Sequence, residues 1–311
     1  KMLVMHKHDR LISVIIPTYN SRKTIQHLLD SIKQIESSIS EVIVVDDGSS
    51  DGTMNHLKDI QKLYNYKILL IDNMKNSGPS KCRNIGIDNS TGDRLLFLDS
   101  DDTIKNMETM ITKTEYDYVV GCHCQVTRNE DLEIVSSVFN PNGLGKDLCN
   151  KALTRDYICA YLVNYLKKPR EYCLFEHCWG KLYKSALVKN NNIRFDEEAN
   201  QLEDVLFNLN YLCIANSCYL LGESVYNHTQ NINPHRLSLE AGIDPYTEKM
   251  VTKCKEQIVL YLEKNGEMTR ANIYSLGKAY RASKLSGYIV RLCLSRKSIE
   301  AKSPSLKNLI E

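Results

Sequence analysis

The chain has 311 residues, 25% of them charged, with a net charge of +2; that is enough for one large domain or two modest ones and too near neutrality for a general affinity for nucleic acid. No stretch approaches the ~20 apolar residues of a membrane helix, and Lys1–His6 is short and begins on a charge, so no secretory signal is expected. The eleven cysteines lack paired Cys-x-x-Cys spacing and several stand in apolar contexts such as Tyr211-Leu212-Cys213-Ile214, which predicts reduced, buried thiols in a reducing compartment.

Leu11–Pro17 is the first predicted strand, apolar nearly throughout, as a strand covered on both faces is. Pro17 ends it, and Thr18, Tyr19 and Asn20 form a polar turn. Ile25, Leu28, Leu29, Ile32 and Ile35 recur at helical spacing, with Ser21 the expected cap. Glu41–Asp47 is a second strand ending on carboxylates, and Gly48–Thr53 turns the chain into a second helix. Lys67–Ile71 is a third strand. Asn76-Ser77-Gly78-Pro79 opens a helix with proline in its first turn, and this helix carries Lys81, Arg83 and Asn84. Arg94–Leu98 is a fourth strand, stopping on Asp99-Ser100-Asp101-Asp102. This alternation predicts an α/β fold, a Rossmann-type mostly parallel sheet flanked by helices. Right-handed crossovers bring Asp46, Asp47, Asp99 and Asp101 to one rim, where open α/β sheets bind ligands.

On continuing strand geometry Asp99 and Asp101 leave the chain on the same side. Two carboxylates so placed repel unless a cation stands between them, and hard oxygen ligands favour magnesium, manganese or calcium over zinc. Three readings compete locally. One is the Asp-x-Asp metal site of a nucleotide-sugar transferase. Another is the Asp-x-Asp-x-Thr start of a haloacid-dehalogenase-like phosphatase, with Asp99 as nucleophile. The third is a loop that only caps the next helix.

Further on, Asp117–Cys122 predicts a strand, residues 125–147 a polar connection with a turn at Asn140–Gly143, and Lys151–Leu166 a helix. Trp179, the single tryptophan, suits either the core or an apolar platform for a sugar ring. Glu203 and Asp204 suit a helix N-terminus through the helix dipole or a proton-transfer role. The chain reads as helix from about 245. Residues 270–297 carry basic and apolar residues but no acid, the pattern of a helix packed with a solvated basic face or lying on an anionic membrane surface.

Four blocks in order resemble the family 2 glycosyltransferases: Ser13–Asn20, Val45–Thr53, Asn76-Ser77-Gly78 through Arg83-Asn84-x-Gly86, and Phe97–Asp102. Trp179-Gly180-Lys181-Leu182-Tyr183 and Glu203-Asp204-Val205-Leu206-Phe207 resemble that family's later blocks. The phosphatase reading gives no account of the ninety residues before Asp99, and no Gly-Asp-x-x-x-Asp follows to complete such a site. A dinucleotide-binding dehydrogenase is excluded because no strand leads into Gly-x-Gly-x-x-Gly.

The resemblance implies a GT-A-like fold with a C-terminal helical extension, divided into a nucleotide-sugar-binding half (1–122), an acceptor-binding half (123–225) and the extension (226–311). It implies an inverting, metal-dependent transferase with a nucleotide-sugar donor, UDP-linked, and a glycan or lipid-linked acceptor, acting in surface polysaccharide synthesis on the cytoplasmic side; membrane contact through 270–297 is read from the basic amphipathic pattern alone. Pro17, Thr18, Tyr19 and Asn20 would line the base pocket, with Asp46, Asp47, Gly48 and Ser49 on the base or ribose. Gly78, Lys81 and Arg83 would face the diphosphate, and Asp99 and Ser100 the donor. Asp101 and Asp99 would hold manganese or magnesium, joined by His228. Asp204 would be the catalytic base, and Trp179, Lys181 and Glu203 would meet the acceptor. A non-catalytic nucleotide-sugar-binding or glycan-binding protein is the remaining alternative.

Overall fold

Four apolar runs build the parallel half of one sheet in the computed structural model, which describes residues 11–129, 131, 133–140, 150–167, 174–230 and 245–265. They are β1 (Ile12–Thr18), β2 (Ile39–Asp46), β3 (Ile68–Asp72) and β4 (Arg94–Phe97), in the order β3-β2-β1-β4. Helices α1 (Ile25–Ile32), α2 (Thr53–Ile60) and α3 (Pro79–Asn89) make the crossovers. Side chains alternate along β1: Ile12, Val14 and Ile16 join the core under α1, while Ile15 faces the other way, toward α3. The contact with α3 is close enough to require a glycine, since a Cβ on Gly86 would stand 2.3 Å from Ile15 Cγ2.

Beyond β4 come β5 (Thr103–Ile104), α4 (Met107–Ile111), β6 (Tyr118–Arg128), β7 (Ile134–Asn140), β8 (Lys151–Leu153) and α5 (Arg155–Lys167). They are followed by β9 (Lys181–Lys184), α6 (Ser185–Asn190), α7 (Glu203–Leu212), β10 (Cys218–Gln230) and the last described helix, α8 (Pro245–Lys264). The sheet continues β4-β9-β6-β10-β5, with β7 on β6 and β8 on β10. β9 is antiparallel to both neighbours, and β6 and β10 run parallel. The sheet is therefore mixed, parallel through its first four strands. α8 packs on α7 and α5 and sends Met250, Cys254 and Ile258 into the core that holds Leu209.

Several local expectations shift. β1 runs through Pro17 to Thr18; pairing with β4 stops two residues earlier, at Ile15, where a missing N–H costs no ladder bond to that strand. Ser21 is not a side-chain cap. Its carbonyl accepts the N–H of Thr24 and of Ile25, both at 3.0 Å, and its hydroxyl pairs with Ser100 Oγ at 2.6 Å, so α1 starts four residues later. The 125–147 stretch is not all connection, because β6 extends to Arg128 and β7 returns along it. Lys151–Leu153 adds to β10 before the α5 helix begins. The expected divisions at 122/123 and 225/226 fall inside β6 and β10, so no break in the sheet marks them. Residues 141–143 of the expected turn, and all of 270–297, lie outside the described residues. Among the described residues no helix is long and apolar enough to cross a membrane, and the eight cysteines there are all free thiols.

At the start of the parallel strands, buried Glu41 ties β2 to its neighbours. It accepts the hydroxyls of Ser13 and Thr91 and the Thr91 N–H at 3.0 Å, and Ser13 Oγ in turn accepts the Gly92 N–H at 2.8 Å. Burial alone would raise its pKa; the bonds from Ser13 and Thr91 hold it below the usual 4.5. Glu41→Ala is expected to lower the unfolding free energy by about 2–4 kcal/mol in urea titration at neutral pH. The Glu41 contribution is full above its unfolded value and fades as pH falls through the lower folded one, so the curves of parent and variant should converge in acid.

Candidate functional site

The strand ends bring their polar turns to one rim. Asp47 N–H donates to Thr18 O at 2.8 Å, and Leu98 N–H donates to Ile15 O at 3.1 Å, which joins the exits of β1, β2 and β4. Two carboxylates there are absorbed in shaping loops. Asp46 accepts the Ser49 N–H at 3.2 Å and the Ser49 hydroxyl at 2.5 Å. Asp47 accepts Asn73 Nδ2 (2.8 Å), Ser77 N (2.9 Å) and Gly78 N (2.8 Å), and so folds the 73–78 loop beneath itself. Gly48 has φ +75°, and a Cβ there would stand 3.3 Å from the backbone nitrogens of Lys75 and Asn76, so a side chain would be both strained and crowded. Asn20 links the two turns: its N–H donates to Ser49 Oγ at 2.8 Å and its Oδ1 accepts the Ser50 N–H at 2.9 Å. Tyr19 is 39% exposed beside them, and Thr18 Oγ1 is buried without a hydrogen-bond partner.

The centre of the site is Arg83, whose side chain is 5% exposed. It reaches the rim because α3 packs closely on β1. Its Nη2 donates to Asp99 at 2.9 Å and its Nη1 to Asp204 at 3.1 Å, with Glu203 at 3.9 Å. Its guanidinium carbon lies 5.3 Å from the centre of the Phe195 ring. Burial works against its charge, but Cys178, Asp204, Asp99 and Glu203 hold it protonated well above the usual range. Glu203 shows the opposite balance: burial first, then the Asp204 charge, pushes its carboxyl up.

α7 presents Asp204 at its first turn, where acids suit the helix dipole. Asp204 also accepts the Cys178 N–H at 3.1 Å. One turn on, Asn208 fixes the segment that donates this bond. Its Nδ2 donates to Phe175 O (2.8 Å) and His177 O (2.9 Å), and its Oδ1 accepts the hydroxyls of Tyr118 (3.0 Å) and Tyr183 (2.6 Å). The helix-dipole reading of Glu203-Asp204 is met by this placement at the helix start.

The Asp99–Asp102 stretch departs from strand geometry. β4 ends at Phe97, and Asp102 N–H donates back to Asp99 O at 3.2 Å, so the chain turns and strand alternation does not set the two side chains. Asp99 faces Arg83. Asp101 lines a crevice with Thr24, His27, Thr103 and Arg128. Asp102, 1% exposed, is held by β10: it accepts Tyr226 OH and Thr229 N, both at 2.6 Å, and faces His228 Nδ1 at 3.2 Å. Tyr226 OH also accepts the Asp99 N–H at 3.1 Å. Arg128 braces the same corner, donating to Thr103 Oγ1 (2.9 Å) and Thr229 Oγ1 (3.3 Å).

Among the other expected site residues, Lys81 pairs with Glu197 at 3.1 Å, out in solvent, and is not drawn to the carboxylates. Trp179 is 5% exposed, stacked on Tyr226 (4.5 Å) and His177 (4.4 Å), with His228 at 5.3 Å. Lys181 is buried in β9 with Nζ toward the Trp179 carbonyl at 3.4 Å. Neither offers an acceptor surface in this structure; each packs the floor of the site, because β9 runs through the middle of the sheet. Sequence reasoning did not single out Asp102, Tyr226, Arg128, Asn73, Cys178 or Asn208. Only two carried a signal: Asp102 stands in the carboxylate run, and Asn208 interrupts the apolar face of α7.

Among the described residues no cluster of three or more histidine, cysteine or acidic side chains is arranged to hold a metal. Magnesium and manganese, however, are commonly held by one or two carboxylates together with substrate phosphates. Asp99, bonded to Arg83, and Asp101, on a crevice beside Arg128, supply hard oxygens of that kind.

Residues 13–166 match the model of glycosyl transferase family 2. The poly(ribitol-phosphate) beta-N-acetylglucosaminyltransferase TarS of Staphylococcus aureus is 30% identical over 241 residues, 76% of this chain and 39% of that protein. The uncharacterized glycosyltransferase EpsJ of Bacillus subtilis is 25% identical over 270 residues, 81% of this chain and 74% of that protein. The crystal structure of S. aureus TarS 1-349 in complex with UDP-GlcNAc superposes with a TM-score of 0.60 at 25% identity, covering 87% of this chain and 71% of that one. The chain therefore spans about two fifths of the length of TarS.

Two stability measurements test the charge balance around Arg83. Arg83→Met leaves buried carboxylates facing one another and is expected to cost about 3–5 kcal/mol at pH 7. That loss should shrink as the pH is lowered and the carboxylates take up protons. The folded protein binds the Glu203 proton more tightly than the unfolded chain does, so stability is lost as pH rises from the usual 4.5 through the raised value of about 7. Glu203→Gln is accordingly expected to raise Tm at pH 8 and to change it little at pH 5.

Proposed function

This chain belongs to glycosyl transferase family 2, and we propose that it moves a sugar from a UDP-sugar to a hydroxyl of a glycan or lipid-linked acceptor in surface polysaccharide synthesis. The observation that carries the reading is the Arg83 bridge, which joins the Asp99–Asp101 motif to the Glu203-Asp204 pair, with Arg83 and Asp204 121 residues apart in sequence. A donor-side carboxylate motif and a candidate base are thereby held at one rim. UDP-N-acetylglucosamine is the first donor to test, because the TarS structure binds it.

In this reading the nucleotide lies over the exits of β1 and β2. Tyr19 is the exposed ring there, and the loops shaped by Asp46 and Asp47 form the wall. Asp101 and Asp99 would hold manganese or magnesium, while His228, expected as a third ligand, faces Asp102 at 3.2 Å. When bound, the ion neutralises charge developing on the departing diphosphate. Asp204 takes the proton of the acceptor hydroxyl as its oxygen forms the new bond to the anomeric carbon and the carbon–phosphate-oxygen bond breaks. One direct displacement of this kind inverts that carbon. Arg83 holds Asp204 in place for the task, and Cys178 N–H aims it. The free thiols of the described residues support a reducing compartment for this chemistry.

A panel of UDP-, GDP- and dTDP-sugars, assayed for released nucleotide with manganese, magnesium or chelator, tests the proposal. UDP release from one UDP-sugar, abolished by chelator and by Asp101→Asn, is expected. Asp204→Asn should lower the rate about 10²–10⁴-fold while leaving calorimetric UDP affinity near that of the parent. Phosphate release from simple esters without nucleotide-sugar binding would return the phosphatase reading. Turnover by no donor–acceptor pair, with UDP still bound, would leave a binding protein.

A further inference from the structure

The segment leading into α7 is gripped from two sides. On one side is Asn84 of α3, whose Oδ1 accepts the Phe195 N–H and whose Nδ2 donates to Phe195 O and to Glu197 Oε1, each at 2.9 Å. On the other side is α8. Asp196 accepts Lys253 Nζ at 2.5 Å, Tyr246 OH at 2.7 Å and the Glu198 N–H at 3.2 Å. Lys253 Nζ also donates to Tyr246 OH at 3.4 Å and lies 5.4 Å from that ring's centre. Between these grips the Phe195 ring stacks on Phe207 at 4.0 Å, with the Arg83 guanidinium carbon 5.3 Å from its centre. A short chain of contacts thus runs from α8 to Asp196, to Phe195, to Arg83 and to Asp204.

We propose that Lys253 and Tyr246 of α8 are positioning residues for the Arg83–Asp204 pair, acting through Asp196 and Phe195. The inference deepens the reading of Asp204 as base and rests on it. Neither α8 residue touches Arg83 or Asp204 in this arrangement; both act by fixing the segment that delivers them. A second feature shows that this segment needs fixing. Leu202, the residue before α7, has φ +66°, a left-handed conformation that a leucine keeps only where its surroundings hold it. The clip also survives neutral pH. Burial would raise the Asp196 carboxyl, but the bonds from Lys253 and Tyr246 bring it below the usual range, and the same bond to Asp196 raises Lys253. Both partners therefore stay charged where the enzyme would work.

Hydrogen exchange read by mass spectrometry, without substrate, tests the clip in the full chain. Lys253→Met is expected to speed exchange in 195–206 by about 10-fold while peptides of β1 and β2 stay as protected as in the parent. Lys253→Arg should keep the protection, and Tyr246→Phe should give a smaller effect in the same peptides. Steady-state UDP release from UDP-N-acetylglucosamine with manganese then separates positioning from plain stability. In Lys253→Met, kcat should fall about 10-fold with donor KM within roughly 2-fold of the parent. Unchanged exchange at 195–206 in a folded Lys253→Met protein overturns the proposal, and so does faster exchange with undiminished kcat. If Lys253→Met does not fold, Tyr246→Phe and Asp196→Asn answer both measurements. A parent protein that releases no UDP from any nucleotide-sugar sinks the functional reading instead, while the exchange result still judges the clip.

Discussion

One buried guanidinium faces three acidic side chains from two other parts of the chain, and the site is organised by that imbalance. Arg83 comes from α3, Asp99 from the exit of β4, and Glu203 and Asp204 from the start of α7. Two formal bonds to Arg83 satisfy Asp99 and Asp204, and the third acid, Glu203, is left to resist ionisation. In a low-dielectric setting such charges cannot drift apart without heavy cost. The pairing also ties later parts of the chain to the rim built by the earlier ones. β9, from the later sequence, is inserted between β4 and β6, and α7 delivers its acids to the rim built by the first hundred residues.

Acids at this rim divide by what they accept. Asp46, Asp47 and Asp102 each take two or more hydrogen bonds from their own surroundings and hold turns in shape. Asp99 and Asp204 share Arg83, and Asp101 stands on a crevice beside Arg128. A carboxylate that accepts several N–H groups is a rigid strut. Tyr226 connects the two kinds, since its hydroxyl accepts from the Asp99 backbone while donating to Asp102.

Most of the parallel half of the fold was legible because its strands are apolar on both faces and its turns are polar. The runs Ile12–Ile16, Val42–Val45 and Leu95–Leu98 are buried throughout, and burial on both faces leaves the same mark on any reading of hydrophobic pattern. β8 was less legible, since its partner β10 lies far away in the chain, and the β6–β7 hairpin falls in a stretch whose polar residues read as a connection. The motif residues were found by type, but their duties were not. Asp47 looks the same in sequence whether it meets a nucleotide or the N–H groups of Ser77 and Gly78. Trp179 reads equally as core or sugar platform, and Lys181 as an acceptor contact, until both are seen buried at β9 in the sheet interior. Asp102 was counted as one of three acids, although only the returning β10 reveals that it anchors Tyr226, His228 and Thr229.

The four-residue interval between Asp204 and Asn208 gives α7 a phase. Both residues address the same stretch of chain, Phe175–Cys178, one through the Cys178 N–H and the other through the Phe175 and His177 carbonyls. An α-helix advances about 100° per residue, so one residue gained or lost between them would turn one partner away whenever the other faced inward. Length variation among descendants of this sequence is thereby barred from the first turns of α7 and confined to the loops around it. Substrate range can drift through those loops while the interval that registers the two contacts stays constant.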